Sequence, residues 1–130
     1  MLVRGIRGAT TVSQNTKTDI VKETSTLLSE MISANEINTE DIASIIFTTT
    51  FDVTLEFPAV AAREILSLNT VPLLNMHEIN NPDGLEKCIR VLIHWNTNKS
   101  QKDIKHVYLN NATTVSYTHL RAHETDSYLV

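Results

Sequence analysis

One cysteine, three glycines and three prolines in 130 residues leave little material for several kinds of protein. The lone Cys88 excludes an internal disulfide and any cysteine-rich zinc site, and its neighbours Ile89, Val91 and Leu92 make it read as an inert strand residue. Gly5, Gly8 and Gly84 cannot build a glycine-rich phosphate loop. Aromatic residues are 5% of the chain and the formal net charge is -4 with no basic stripe, so the footprint of a nucleic-acid binder is missing. No apolar run is long enough to cross a membrane. The start, MLVRGIRGATTV, lacks the roughly 7 to 15 apolar residues and small-residue cleavage site of a secretory leader, so the expected location is the cytoplasm. Arginine is scarce too. Six lysines supply solvated charge, so Arg7, Arg63 and Arg90 read as placed where a rigid cationic fork must grip a carboxylate. A small organic anion is the expected ligand.

What remains is ample for one domain, with 42% hydrophobic residues. Strand alternation puts Leu2, Arg4 and Ile6 on one face of the first segment and Val3, Gly5 and Arg7 on the other, so Arg4 and Arg7 diverge. Between Thr16 and Ala34, Ile20, Val21, Leu27, Leu28, Met31 and Ile32 recur at helical spacing, with Asn15 or Thr16 able to cap. A short capped turn at Thr39 leads into a buried strand, Ala43 to Thr50. Pro58 opens a second helix expected to run to about Leu68. Strands follow at residues 71–78, 87–97 and 104–114, the second with Ile89, Val91, Ile93 and Trp95 as its core face and Cys88, Arg90, Leu92 and His94 opposite. This β-α-β-α-β-β-β order predicts a single α+β domain, a mixed β-sheet with helices packed on one face.

Residues 115–130 read differently. VSYTHLRAHET, at 115–125, is what a common sequencing adapter gives when translated in one frame. The native domain is therefore expected to be residues 1–114, with an artefactual, disordered tail.

Several residues could carry chemistry. Arg90, flanked on its own face by Cys88 and Leu92, is expected to be partly desolvated and to need a negative partner, either Glu78 or a ligand. A structural ion pair would look the same. Gly5 leaves room for the head of Arg7, although a surface arginine needs none. Glu78 precedes the turn NNPDG, a position suited to touching a substrate or to a solvated strand-end carboxylate. Tyr108 could offer its hydroxyl to an anion or simply cover the sheet. Phe57, Ala59 and Arg63 could wall a pocket or only pack a helix. His77, His94 and His106 lie on separate strands without ligand spacing, which predicts no metal site.

RGIRGATTV at 4–12, FPAVAAREI at 57–65, VPLLNMHE at 71–78, GLEKCIRV at 84–91 and HVYL at 106–109 together resemble the small trimeric bacterial chorismate mutases of mixed α/β fold. The resemblance runs from residue 1 to about 114. It implies a homotrimeric pseudo-barrel with active sites between subunits, the rearrangement of chorismate to prephenate for phenylalanine and tyrosine synthesis, and no cofactor, membrane or nucleic-acid partner. By resemblance, Arg90 approaches the ether oxygen and side-chain carboxylate of chorismate, Arg7 and Tyr108 hold that carboxylate, and Glu78 accepts from the ring hydroxyl. Phe57, Ala59, Arg63, Leu73, Leu74 and Asn75 match pocket or mouth positions given across a subunit boundary. Departures are Asn75 where the family often has cysteine, Val60 for a basic residue, and Val115 and Ser116 for a leucine and an arginine that begin a covering segment. Two rivals follow: a non-catalytic trimer binding a small dicarboxylate, and an enamine deaminase on a similar fold, which Glu78 and Arg90 in these motifs disfavour.

Overall fold

A period of two decides which side of each strand faces inward, and the longest strands obey it. The computed structural model describes residues 1–113. Strand β4 (Cys88–Thr97) buries Ile89, Val91, Ile93 and Trp95, while Arg90, Leu92 and His94 between them stay partly exposed. It lies at the centre of a five-stranded sheet ordered β3-β2-β4-β1-β5, with β1 at Leu2–Thr11, β2 at Ile42–Thr49, β3 at Leu73–His77 and β5 at Val107–Tyr108. Pairings of β4 with β1 and β2 are antiparallel and those of β1 with β5 and β2 with β3 are parallel, so the sheet is mixed as expected.

Helix α1 (Lys17–Asn35) covers one face. Thr16 caps it, its hydroxyl oxygen accepting from the Asp19 N–H at 3.1 Å, and Asn15 instead ties down the loop at Thr54. The apolar stripe Ile20, Leu27, Leu28 and Met31 is wholly buried. Most of it meets Ile6, Ile45, Phe47, Val91 and Ile93 from the sheet in one cluster. The helix sits so close that a Cβ on Gly8 would lie 2.4 Å from the Met31 sulfur, which is why a glycine stands there. No described helix is long and apolar enough to span a membrane.

Two elements differ from expectation. In place of the helix from Pro58 to Leu68 there is a short helical segment whose main part is a wide π-helical turn, Ala61–Ile65, closed by Leu66 N–H to the Ala61 carbonyl at 3.1 Å. Ser67, at φ 57°, ends it by sending its backbone into the left-handed region. The strand expected at 104–114 contracts to Val107–Tyr108, because Asn110 at φ 53° turns the chain and its amide donates to the Thr10 hydroxyl and Thr11 carbonyl. The expectations for residues 115–130 lie outside the described residues.

Candidate active site

On the sheet face opposite α1, Ala112 from the short helical run at 111–113 packs with Leu85 and Tyr108 on Ala9 and Cys88, and register sets what the remaining, partly exposed part of that face holds. Arg7 pairs with Leu92, Ala9 with Arg90 and with Tyr108, and Thr48 with both Arg90 and Met76. Alternation therefore brings Arg7, Thr48, Arg90 and Tyr108 to one side of the sheet. Glu78 joins them just past β3, its N–H extending the ladder to the Thr49 carbonyl at 3.0 Å.

The partner of Arg90 is Glu78. Arg90 Nη1 donates to Glu78 Oε2, and both side chains are largely shielded, with 24% and 19% of their surface exposed. The other carboxylate oxygen, Oε1, accepts from the Thr48 hydroxyl at 3.0 Å. Arg90 Nε is buried and has no hydrogen-bond partner among the described residues. A buried charged donor of this kind is costly to leave unmade. Burial lowers the Arg90 pKa, but arginine starts so far above neutrality that the guanidinium keeps its proton. Burial pushes the Tyr108 phenol up against the opposing pull of Arg7, so its hydroxyl stays a neutral donor.

A cleft of about 1010 Å³ opens beside the pair, walled by Thr48, Glu78, Arg90 and the loop at 79–86. Asp52 anchors the far end of that loop, accepting from the Lys87 N–H at 3.0 Å. Burial raises the Asp52 pKa, but bonds from the Thr50 hydroxyl and the Lys87 N–H outweigh it and the net shift is downward. Cys88 is fully buried with its thiol pushed up to about 12, so it offers no nucleophile.

The remaining candidates sit elsewhere. Phe57 and Leu74 are more than half exposed and Arg63 is exposed; Leu74 lies on β3, an edge strand, and Arg63 in the π-helical turn. Leu73 packs against the core, and Ala59 is buried with its N–H donating to Asn75 Oδ1 at 3.0 Å. The amide oxygen of Asn75 therefore already holds the start of the helical segment. Arg7 and Tyr108 lie on β1 and β5, towards the opposite edge, so one chain does not bring the two sets together. Gly5 also differs from expectation: the space over it is filled by Leu92, whose Cδ1 would stand 3.3 Å from an added Cβ, rather than reserved for Arg7. Arg4 points away as predicted and donates from Nε to the Lys99 carbonyl at 3.0 Å.

Sequence reasoning misses Thr48, one of three consecutive threonines that nothing local distinguishes. It considers His106 only as a metal ligand, whereas His106 Nδ1 accepts from the Arg7 N–H at 3.0 Å, and burial, then the charge of Arg7, lowers its pKa. Among the described residues no three His, Cys, Asp or Glu side chains converge to hold a metal.

A shielded arginine–carboxylate pair, a second arginine and a neutral phenol thus share one face of the sheet. The chorismate mutase type I family model matches residues 3–117. The chain is 47% identical over 112 residues to the chorismate mutase AroH of Thermus thermophilus, covering 85% of this chain and 91% of that protein. It is 39% identical over 115 residues to the chorismate mutase AroH of Bacillus subtilis strain 168, covering 88% and 91%. The solved chorismate mutase from Clostridium thermocellum shares 55% identity at a TM-score of 0.82, over 85% of this chain and 97% of that one. The chain belongs to the chorismate mutase type I family. It is an isomerase that rearranges chorismate to prephenate, a step of aromatic amino acid biosynthesis.

Proposed function

We propose that the rearrangement takes place on the open sheet face, at sites between the subunits of a cytoplasmic homotrimer, with residues 1–114 forming the catalytic domain and residues 115–130 lying outside it. The observation that carries this reading is the buried, unpartnered Nε of Arg90 beside the Glu78 pair. Chorismate to prephenate is a Claisen rearrangement within one molecule, so it requires no nucleophile, metal or proton shuttle. Its transition state builds negative charge on the breaking ether oxygen, and Arg90 is the group that meets it. Arg7 and Tyr108 hold the side-chain carboxylate, and Glu78 accepts from the ring hydroxyl. A neighbouring subunit adds Phe57, Ala59, Arg63, Leu73, Leu74 and Asn75 at the wall and mouth.

Magnitudes divide the work. Even modest enzymatic acceleration asks for about 8 kcal/mol. One preorganised charged donor supplies roughly 3 to 4 kcal/mol by analogy with an oxyanion hole. Holding the flexible side chain over the ring in a reactive conformation provides the rest. Support for subunit association comes from the open face and its surroundings, where Leu74, Met76, Phe57 and Ile65 are 45% to 64% exposed. Support for a reducing compartment comes from the single unpaired Cys88. Incubating purified protein with chorismate tests the function: loss of chorismate absorbance with prephenate formation is expected. Tight binding without turnover would instead favour a non-catalytic dicarboxylate binder. Sedimentation tests the trimer, and the genomic 3′ nucleotide sequence tests the boundary at 114.

A further inference from the structure

We infer that Thr48 is a positioning residue for the rearrangement, acting through Glu78; the inference rests on the reading of Glu78 and Arg90 as substrate contacts. Thr48 is the next-to-last residue of β2, and its register faces Arg90 on one side and Met76 on the other. Its hydroxyl donates to Glu78 Oε1 at 3.0 Å while Arg90 Nη1 takes Oε2, so the two carboxylate oxygens are held by different groups. That division matters. An arginine fork prefers to engage a carboxylate through both oxygens at once. Glu78 stands just beyond β3, before the 79–86 loop; its backbone N–H is held by the Thr49 carbonyl, and its carboxylate is held by Thr48 and Arg90. Without a competing donor on Oε1 the carboxylate would turn fully onto the guanidinium.

The two-pronged pair would harm the site twice. It would occupy the arginine donors that the substrate needs, and it would withdraw Oε1 from the ring hydroxyl. With Thr48 in place each oxygen keeps a lone pair in reserve, because a carboxylate offers about four acceptor positions. Threonine suits the task better than serine, since branching at Cβ restricts its first torsion and aims the hydroxyl in advance. Valine has the same shape and high strand propensity, so replacing the hydroxyl alone leaves the fold supported.

Thr48→Val and Thr48→Ser, each made alone and on a Glu78→Ala background, are assayed for kcat and KM by loss of chorismate absorbance, with thermal unfolding followed in parallel. Thr48→Val is expected to lower kcat/KM about tenfold, the scale of one hydrogen bond to a charged group, without lowering the melting midpoint. Thr48→Ser recovers activity to within about threefold of the parent, and on the Glu78→Ala background Thr48→Val costs less than about twofold. The inference alone is overturned by Thr48→Val at parental activity beside an impaired Glu78→Ala, or by an equal loss on both backgrounds. Glu78→Ala at full activity overturns the role given to Glu78, and the inference with it.

Discussion

The two faces of the sheet draw on the same strands for different ends. Under α1, Ile6, Ile45, Phe47, Ile89 and Ile93 have no exposed surface, and each is flanked in sequence by residues that point the other way. On the opposite face Arg7, Thr48, Arg90 and Tyr108 stay partly exposed. The covered face carries stability through apolar burial, worth roughly 1.5 to 3 kcal/mol for each large side chain. The open face gains little from its ion pair, because desolvation cancels much of the attraction. Stability and the proposed chemistry therefore separate along a period of two, and substitutions one residue apart should have unlike consequences.

Phe47→Ala, on the covered face, makes the largest break: a loss of about 3 to 5 kcal/mol in unfolding free energy. Urea denaturation at fixed protein concentration measures it, and kcat per folded site should stay within about twofold. On the other face Arg7→Ala is expected to cost about 1.5 to 3 kcal/mol in kcat/KM, a tenfold to hundredfold loss, with little change in denaturation midpoint. Arg4→Ala is its control and leaves turnover unaltered, since Arg4 reaches the Lys99 carbonyl instead. Gly8→Ala then probes how tightly α1 is seated. The new Cβ would lie 2.4 Å from the Met31 sulfur, so a destabilisation of about 1 to 3 kcal/mol is expected by the same denaturation.

The smallest effect links the faces through pH. Burial first, and the charge of Arg7 second, hold the His106 pKa below the usual histidine value. Between the depressed and ordinary values the unfolded chain binds more protons than the folded one, so stability rises with pH across that window. His106 thus contributes stability present above the ordinary histidine pKa and lost as pH falls towards its depressed value. Protonation also removes the acceptor for the Arg7 N–H. Comparing urea midpoints at about pH 8 and pH 5, the parent should lose more than His106→Gln.

How much can be read from the chain follows the same division. The alternation of Ile89, Val91, Ile93 and Trp95 against Arg90, Leu92 and His94 is local, and it suffices to identify the core face of β4. Helix α1 is equally plain from its stripe. The family resemblance rests on contiguous motifs, and the match at 3–117 agrees with it. The pairing of Arg90 with Glu78 stays open in the sequence, because a ligand would satisfy the same guanidinium. Thr48 is invisible there: its bond to Glu78 spans thirty residues and depends on a parallel register no local pattern sets. The second helix and last strand end sooner than their patterns predict because Ser67 and Asn110 adopt left-handed backbone: serine is no usual stop signal, and the asparagine, which is one, lies inside a segment whose pattern reads as strand.

The most direct test is kcat for Arg90→Ala beside the parent, with the melting midpoint taken on the same preparations. A fall of about a hundredfold to a thousandfold in kcat is predicted, matching roughly 3 to 4 kcal/mol of lost transition-state stabilisation, while the midpoint moves far less than in Phe47→Ala. Turnover within about tenfold of the parent would contradict the account, since the charge on the ether oxygen would then be met by some other group.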